Sequence, residues 1–265
     1  MKKLSSLKNK KVKYLLYLQK KSRERSRKKL FIVEGIKEFK MALKGGYLPE
    51  EILLCREILK IKTRKLELFK YSEKITEISS VIFKKIAYRK SSGGIIAVFK
   101  QKQKLLKTLK LQEYPLILVM ESIENPGNIG AILRTANAVS VDAIVLCNPK
   151  TDTFNPNVIR SSLGSLFTTN FFVETSYKLI SWLKIKIFST VLKKKYYNIY
   201  KVDFRDGLAI VIGNEAEGLS KIWMDISDKL IKIPMNGNVD SLNVSNVAAI
   251  VLFEIIRQRS KFLDF

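Results

Sequence analysis

The sequence contains no histidine among its 265 residues. This absence excludes a histidine-based catalytic triad, a histidine general base and most catalytic zinc sites. Any chemistry must therefore depend on carboxylates, arginine, lysine, amides, hydroxyls or a cofactor.

Cysteine and long apolar runs are also scarce. The two cysteines, Cys55 and Cys147, are far apart and lie in apolar, strand-like runs, which predicts a reduced cytoplasmic protein. No apolar run reaches the roughly 18 residues of a membrane helix. The N-terminus also lacks the apolar core of a signal peptide. We therefore expect no membrane association.

Acidic residues are few, with 24 Asp and Glu against 49 Lys and Arg, for a net charge of +25. A charge of this size favours a polyanionic partner. Residues 1–29 carry thirteen basic residues and one acid, Glu24, and residues 100–110 add five lysines and no acid. The coding bias of an AT-rich genome is the alternative source of the lysine excess.

Hydrophobic residues make up 46% of the chain, which is enough for a folded core. The pattern predicts a basic leader helix in 1–29, a small α/β domain in 30–99, a linker in 100–114 and a larger α/β domain in 115–265. Several predicted strands of the larger domain are apolar on both faces, as in a parallel sheet covered on both sides. Its helices are predicted over 128–139, 156–165, 176–184 and 242–259.

Three polar elbows follow predicted strands of the larger domain, where ligands of parallel sheets bind. They are "ENPGNIGAILRTA" (124–136), "GNEAEGLS" (213–220) and "PMNGNVDSLNVSNVAAI" (234–250). The second is not a phosphate loop, because Leu219 and Ser220 stand where Lys and Ser or Thr should follow the glycine. No G-x-G-x-x-G is present, so a nicotinamide dinucleotide site is unsupported. Tight turns alone would explain any one elbow, but not the polar residues of all three.

The elbows resemble the three motifs of the SpoU family of RNA ribose 2'-O-methyltransferases, in the SPOUT superfamily. Motif 1 resembles "NPGNIGAILRTA" (125–136), motif 2 "VIGNEAEGLS" (211–220) and motif 3 "IPMNGNVDSLNVSNVAAI" (233–250). Asn246 departs from the aliphatic residue that the family often has there. In addition, "FIVEGIKEFKMALKGGYLPEEILLC" (31–55) is similar to the ribosomal-protein-like substrate-binding domain of many members.

The resemblance implies a C-terminal α/β knot, a deep trefoil with a mostly parallel sheet, behind a smaller N-terminal α/β substrate-binding domain. It implies that S-adenosylmethionine binds in a bent conformation at the second and third elbows. The residues that the resemblance assigns to the cofactor, directly or as neighbours, are Gly213, Asn214, Gly218, Ile233, Met235, Ser241 and Leu242.

The resemblance further implies methyl transfer to a ribose 2'-hydroxyl of RNA, without a metal. Arg134 matches the family's catalytic arginine, although a guanidinium is a poor base and can also serve as a phosphate anchor. The other residues assigned to the chemistry are Asn128, Glu215, Asn243 and Ser245. Family members are usually homodimers. The separate N-terminal domain favours ribosomal RNA over transfer RNA as the substrate.

Two alternatives remain at this stage. One is a base-modifying enzyme of the same superfamily, which the Asn-Val-Ser of motif 3 and Arg134 of motif 1 disfavour. The other is a non-catalytic RNA-binding or ribosome-assembly protein on the same fold. The presence of Arg134, Glu215 and Asn243 argues against that second alternative.

Overall fold

The computed structural model describes residues 2–59, 68–88, 93–102, 104–192 and 196–260, which form two compact units. The N-terminal unit comprises Met1–Lys102 and Asp152–Thr168. The C-terminal unit comprises Gln103–Thr151 and Thr169–Phe265. Residues 60–67 and 89–92 of the predicted α/β domain 30–99 lie outside the described residues. Among the described helices, none has both the length and the apolar character needed to cross a membrane.

A five-stranded mixed sheet forms the N-terminal unit. Its strands are β1 (Lys2–Leu4), β2 (Leu30–Glu34), β3 (Pro49–Leu54), β4 (Ile75–Ile78) and β5 (Ile95–Lys100). The order is β1-β4-β3-β5-β2, with β5 antiparallel to β2 and β3. Its helices are α1 (Lys10–Lys20), α2 (Ser22–Lys28), α3 (Ile36–Lys44), α4 (Ser80–Ile86) and α6 (Pro156–Ser161). Strand β1 lies within residues 1–29, which were predicted as a helix and not as a strand.

The segment 1–29, predicted as one basic leader helix, contains the short strand β1 and two helices instead. Asn9 caps α1 by accepting a hydrogen bond from the Lys11 amide at 2.8 Å. Lys21 is extended, with φ −109° and ψ 113°, and so separates α1 from α2. The sequence did not predict this break, because no glycine or proline marks it.

Helix α1 belongs to the core of the N-terminal unit. Val12, Leu15 and Leu18 are at most 1% exposed, and their spacing of three residues places them on one helical face. They share a cluster with Ile82 and Phe83 of α4. The positive charges of α1 are therefore carried by a packed element of the fold.

The later segment of the unit, Asp152–Thr168, is attached through buried groups. Arg25 is 2% exposed, donates to the carbonyls of Leu18 and Gln19 at 2.8 and 2.7 Å, and pairs with Asp152 through Nε at 2.5 Å. The helix predicted over 156–165 ends at Ser161 as α6. This segment packs with the N-terminal unit. That unit is therefore formed from two separate parts of the sequence.

The C-terminal unit is built on a seven-stranded sheet in which every described pair is parallel. Its strands are β6 (Leu116–Glu121), β7 (Ala143–Cys147), β8 (Phe171–Glu174), β9 (Lys186–Thr190), β10 (Tyr197–Asn198), β11 (Leu208–Ile212) and β12 (Lys229–Lys232). The order is β10-β12-β9-β11-β6-β7-β8. The predicted α/β class and parallel sheet are thus confirmed. Strand order does not define threading, so the trefoil knot stays a prediction.

Helices cover the faces of this sheet. They are α5 (Pro126–Ala138), α7 (Ser176–Trp182), α8 (Lys221–Ile226) and α9 (Val244–Ser260). Every residue of the central strands β6, β7 and β11 is buried, which explains their continuous apolar sequence. The predicted helices 128–139, 176–184 and 242–259 agree with α5, α7 and α9 to within two residues at each end.

We predict that Leu18→Ala lowers the free energy of unfolding by about 2–5 kcal/mol, because it leaves a cavity in the N-terminal core. Leu7→Ala is the matched control, since Leu7 is 43% exposed. Urea denaturation followed by circular dichroism measures both variants. Equal midpoints for the two would show that α1 is not part of the core.

Candidate active site

The three elbows meet at the carboxyl edge of the parallel sheet. Strand β11 lies beside β6 with Ile212 opposite Met120, so both strands end at the same level. Strand β12 lies beside β9 with Ile231 opposite Thr190. The predicted convergence of the elbows at one sheet edge is therefore observed in the C-terminal unit.

The first elbow turns the chain from β6 into α5. Asn125 caps the helix by accepting a hydrogen bond from the Gly127 amide at 2.7 Å. Pro126 occupies the first helical position, where its missing N–H costs nothing. The start of α5 is thereby fixed at the end of β6.

The second elbow is a closed backbone turn after β11. Asn214 and Gly218 exchange two backbone hydrogen bonds, of 2.9 and 3.0 Å. Gly218 has φ +72°, a left-handed conformation that glycine adopts without strain. At Gly213 a Cβ would lie 2.5 Å from the carbonyl carbon and oxygen of Gly218. Only glycine fits at position 213 without a shift of the turn.

The side chain of Asn214 holds this turn to the first elbow. Its Oδ1 accepts from the amides of Ala216 and Glu217 at 2.8 and 3.0 Å. Its Nδ2 donates to the Ser122 carbonyl at 2.9 Å and to a Glu124 carboxylate oxygen at 3.3 Å. Asn214 is 6% exposed, so these bonds satisfy a buried amide.

Glu121 fixes the far end of the second elbow. This last residue of β6 is 3% exposed, and its carboxylate accepts from the amide and hydroxyl of Ser220 at 2.8 and 2.6 Å. Sequence reasoning missed Glu121, because a polar residue at a strand end carries no signal of burial.

A surface ion pair borders the first elbow. The Lys150 ammonium donates to the Glu124 carboxylate at 2.6 Å. This hydrogen bond is the main reason that the pKa of Glu124 lies below its usual value and that of Lys150 above it. Both side chains are exposed, so the pair contributes little stability.

Four predicted site residues form one directed chain of hydrogen bonds across the three elbows. The Ser245 hydroxyl donates to Asn243 Oδ1 at 2.6 Å, and Asn243 Nδ2 donates to Asn128 Oδ1 at 3.2 Å. Asn128 Nδ2 then donates to Glu215 at 2.8 Å. Each donor is oriented by the next acceptor, and the chain ends on a carboxylate, where a hydrogen bond is strongest.

Arg134 stands apart from this chain. It is exposed on α5, and its side chain makes no hydrogen bond or ion pair with any residue in the described part of the protein. Its spacing of three, four and seven residues places it on the helical stripe of Ala131, Gly130 and Gly127. A structural arginine would pair with a nearby acid or cap a helix end, and Arg134 does neither.

A cavity of about 610 Å³ opens beside the second and third elbows. All seven residues predicted to bind a cofactor line it, namely Gly213, Asn214, Gly218, Ile233, Met235, Ser241 and Leu242. Glu215 and Asn243 line it as well, which joins the polar chain to the cavity wall. Its volume lies in the usual range of small-molecule sites.

Part of the cavity wall was not predicted. Thr190, the last residue of β9, and the next two residues, Val191 and Leu192, line the cavity. The sequence pattern indicates only the end of a strand here and does not predict that these residues line a cavity. Only the strand order, with β9 between β11 and β12, shows that they reach the site.

Cys147 lies outside the candidate chemistry. The Cys147 thiol is buried, which raises its pKa to about 12 and keeps it protonated. Across the described residues, no three His, Cys, Asp or Glu side chains are grouped so that they could hold a metal ion.

Comparison with known protein families identifies both units. Residues 115–253 match the SpoU rRNA methylase family, and residues 9–97 match an MRM3-like substrate-binding domain. The resemblance drawn from the three motifs and from residues 31–55 is therefore confirmed.

Individual relatives cover nearly the whole chain. A 23S rRNA (uridine(2479)-2'-O)-methyltransferase of Streptomyces viridochromogenes is 27% identical over 89% of this chain and 85% of its own. The 23S rRNA (guanosine(2553)-2'-O)-methyltransferase RlmP of Bacillus subtilis is 28% identical over 96% and 99%. The crystal structure of an AdoMet-bound rRNA methyltransferase from Sinorhizobium meliloti has a TM-score of 0.87 at 25% identity, covering 97% of both chains.

We predict that Asn214→Ala destabilises the C-terminal unit by about 1–3 kcal/mol, because it removes the hydrogen bonds that close the second elbow and tie it to the end of β6. Asn236→Ala serves as the control, since Asn236 is an exposed residue of the third elbow. Thermal unfolding of both variants gives the comparison. A wild-type melting temperature for Asn214→Ala would contradict the assigned role of its side chain.

Proposed function

Because the chain belongs to the SpoU rRNA methylase family, we propose that it is an S-adenosylmethionine-dependent enzyme that methylates a ribose 2'-hydroxyl of ribosomal RNA. The observation that carries this proposal is the hydrogen-bonded chain from Ser245 to Glu215 at the wall of the 610 Å³ cavity. The relatives that cover the chain almost completely are named as 23S rRNA 2'-O-methyltransferases.

The cavity fits S-adenosylmethionine in size and in chemistry. Apolar side chains of Ile233, Leu242 and Val247 line it, and the backbone at Gly213 is open to close approach. The carboxylates of Glu215 and Glu217 supply negative charge near a cationic ligand. When bound, this cofactor supplies an electrophilic methyl group on a sulfonium. The residues proposed to hold it are Gly213, Asn214, Gly218, Ile233, Met235, Ser241 and Leu242.

The protein must place the ribose hydroxyl in line with that methyl group. A hydroxyl is a weak nucleophile, so residues of the site would have to orient it and help to withdraw its proton. We assign Arg134 to the attacking nucleotide, where its planar guanidinium can grip a phosphate and polarise the hydroxyl together. The fixed amides of Asn128 and Asn243 would orient the sugar, and such positioning supplies much of the rate.

RNA affinity is assigned to the basic surface and to the N-terminal unit. Lysines give salt-dependent affinity for phosphates, and folded RNA is recognised largely by its shape and exposed loops. The match of residues 9–97 to a substrate-binding domain supports this division of labour. In this proposal the predicted leader 1–29 belongs to the substrate-binding domain, because α1 packs in its core, and the linker 100–114 and the methyltransferase domain 115–265 follow.

A homodimer is part of the proposal. Helix α9 packs against α5 and still exposes Phe253 to 56%, with Ala249, Ile250 and Ile256 partly exposed on the same stripe. An apolar stripe of this kind on a surface helix is typical of a helix that packs against a partner. The family resemblance supports a second copy of the chain as that partner.

A non-catalytic RNA-binding protein is the competing function. It would retain the fold and the RNA affinity without needing a cavity joined to a polar chain. Incubation with S-adenosylmethionine and unmodified ribosomal RNA, followed by mapping of 2'-O-methyl groups, separates the two functions. A single methylated ribose supports the enzyme, and no methyl transfer to any RNA would support the alternative.

We predict that S-adenosylmethionine binds without RNA and with metal ions chelated, and that Gly213→Ala weakens this binding roughly tenfold or more. The reason is that the added Cβ forces the turn at Gly218 to shift. Gly237→Ala is the matched control, because no atom lies within 4 Å of a Cβ built there. Calorimetry measures the three proteins. Binding that requires magnesium, or equal affinity in the two variants, would contradict the assigned site.

We predict that Arg134→Ala slows methylation by about 10²–10⁴, the range that orienting and acid–base groups usually supply. Its melting temperature and cofactor affinity should stay unchanged, because its side chain has no partner among the described residues. Arg134→Lys should be nearly as slow, since a point charge cannot replace the planar fork.

Arg205→Ala is the control for this series, because Arg205 is an exposed arginine of the same unit that pairs with Asp203. Near-normal turnover of Arg134→Lys would reduce Arg134 to a phosphate anchor. An early melting transition in Arg134→Ala would show that its role is structural.

A further inference from the structure

An exposed group of tyrosines lies at one edge of the C-terminal sheet. Tyr196, Tyr197 and Tyr200, here called the tyrosine patch, are 42%, 57% and 55% exposed. Neither the fold nor the proposed chemistry requires them. Three large aromatic rings exposed within five residues indicate an interaction surface.

The backbone of this segment is fixed, so the exposure is built into the fold. Ile199 is fully buried and anchors the segment in the core. Asn198 accepts a hydrogen bond from the Tyr200 amide at 3.0 Å. Tyr197 pairs with Ile231 of β12 through the strand register. With this anchor buried, the neighbouring rings remain in solvent.

Two lysines lie against the patch. Lys232 Nζ is 5.1 Å from the centroid of the Tyr196 ring. Lys229 Nζ is 5.6 Å from the centroid of Tyr197 and 5.3 Å from that of Phe188. Each ammonium lies within the range of a cation–π contact. The patch therefore combines aromatic faces with positive charge.

Like the candidate active site, the patch lies at the carboxyl ends of the parallel strands. Asn198, the last residue of β10, is opposite Lys232, the last residue of β12. Because the strands are parallel, Tyr200 follows the carboxyl end of the sheet. Lys232 and Ile233 line the cavity, so the patch borders its β12 side.

We propose that the tyrosine patch stacks unpaired nucleotides of the RNA substrate beside the reactive ribose. Aromatic faces next to lysines are the recurring surface for single-stranded RNA, since every base can stack and every phosphate is anionic. A protein partner is less suited, because burying Lys229 and Lys232 against an apolar surface would leave two charges desolvated. This inference rests on the proposed function, and it specifies how the candidate active site binds its RNA substrate.

The test measures RNA affinity as a function of salt. The probe is a fluorescein-labelled single-stranded oligouridylate of about 12 nucleotides, followed by anisotropy. The variants are Tyr197→Ala, Tyr200→Ala and Tyr197→Phe. Tyr177→Ala is the matched control, because Tyr177 is 77% exposed in the same unit but on α7, which follows β8 at the opposite edge of the sheet.

Each alanine variant should lose about 5- to 100-fold in affinity at every salt concentration, the usual effect of one stacked base. The slope of log affinity against log salt should not change, because no phosphate contact is removed. Tyr197→Phe should keep the affinity, since it keeps the ring. The KM of methylation should rise in the alanine variants while cofactor affinity remains that of the wild type.

Affinities equal to those of Tyr177→Ala would overturn the inference. So would a change in oligomeric state on gel filtration, because the patch would then be an interface between copies of the chain. The proposed function has a separate test: it fails if the wild-type protein methylates no RNA. Normal methylation by the wild type together with unaffected tyrosine variants would overturn the stacking surface alone.

Discussion

The hydrogen bonds of one buried amide, that of Asn214, are the constraint on which the candidate site depends. Its carbonyl oxygen closes the second elbow, and its nitrogen ties that elbow to the Ser122 carbonyl at the end of β6. These bonds are possible because the register of β6 and β11 brings the two strand ends to the same level. Glu121 adds a second tie at Ser220, so the elbow is held at both ends.

The candidate site has a rigid part, to which the proposed function adds one unrestrained group. The chain from Ser245 to Glu215 is oriented before any substrate arrives, which is the condition for electrostatic preorganisation. Arg134 is different, because its guanidinium is exposed and has no partner among the described residues. An unpaired guanidinium can bind an incoming phosphate without first breaking an ion pair of its own. In the proposed role, binding of substrate phosphate would therefore face no competing partner from the described part of the protein.

Much of this site could be predicted from the sequence, because the elbows directly follow strands that have a recognisable local pattern. Strands such as β6 and β11 are buried on both faces, so their apolar runs mark where the elbows must follow. Glu121, Thr190 and the tyrosine patch were not predicted as parts of a site. Their roles depend on which strands are neighbours, and strand order arises from long-range packing that periodicity does not encode. The family resemblance carried residue assignments such as Met235, which no pattern alone would have given.

The structure changes how the lysine excess must be interpreted. In α1 the residues Lys10, Lys13 and Lys20 are exposed, whereas the opposite face of the helix is part of the core. Removal of residues 1–29 would therefore delete a core helix together with its charges, and lost RNA affinity would report unfolding as much as electrostatics. Charge reversal at Lys10, Lys13 and Lys20 leaves the buried face intact. A flatter salt dependence in that variant would assign these charges to RNA binding, and an unchanged slope would assign them to coding bias.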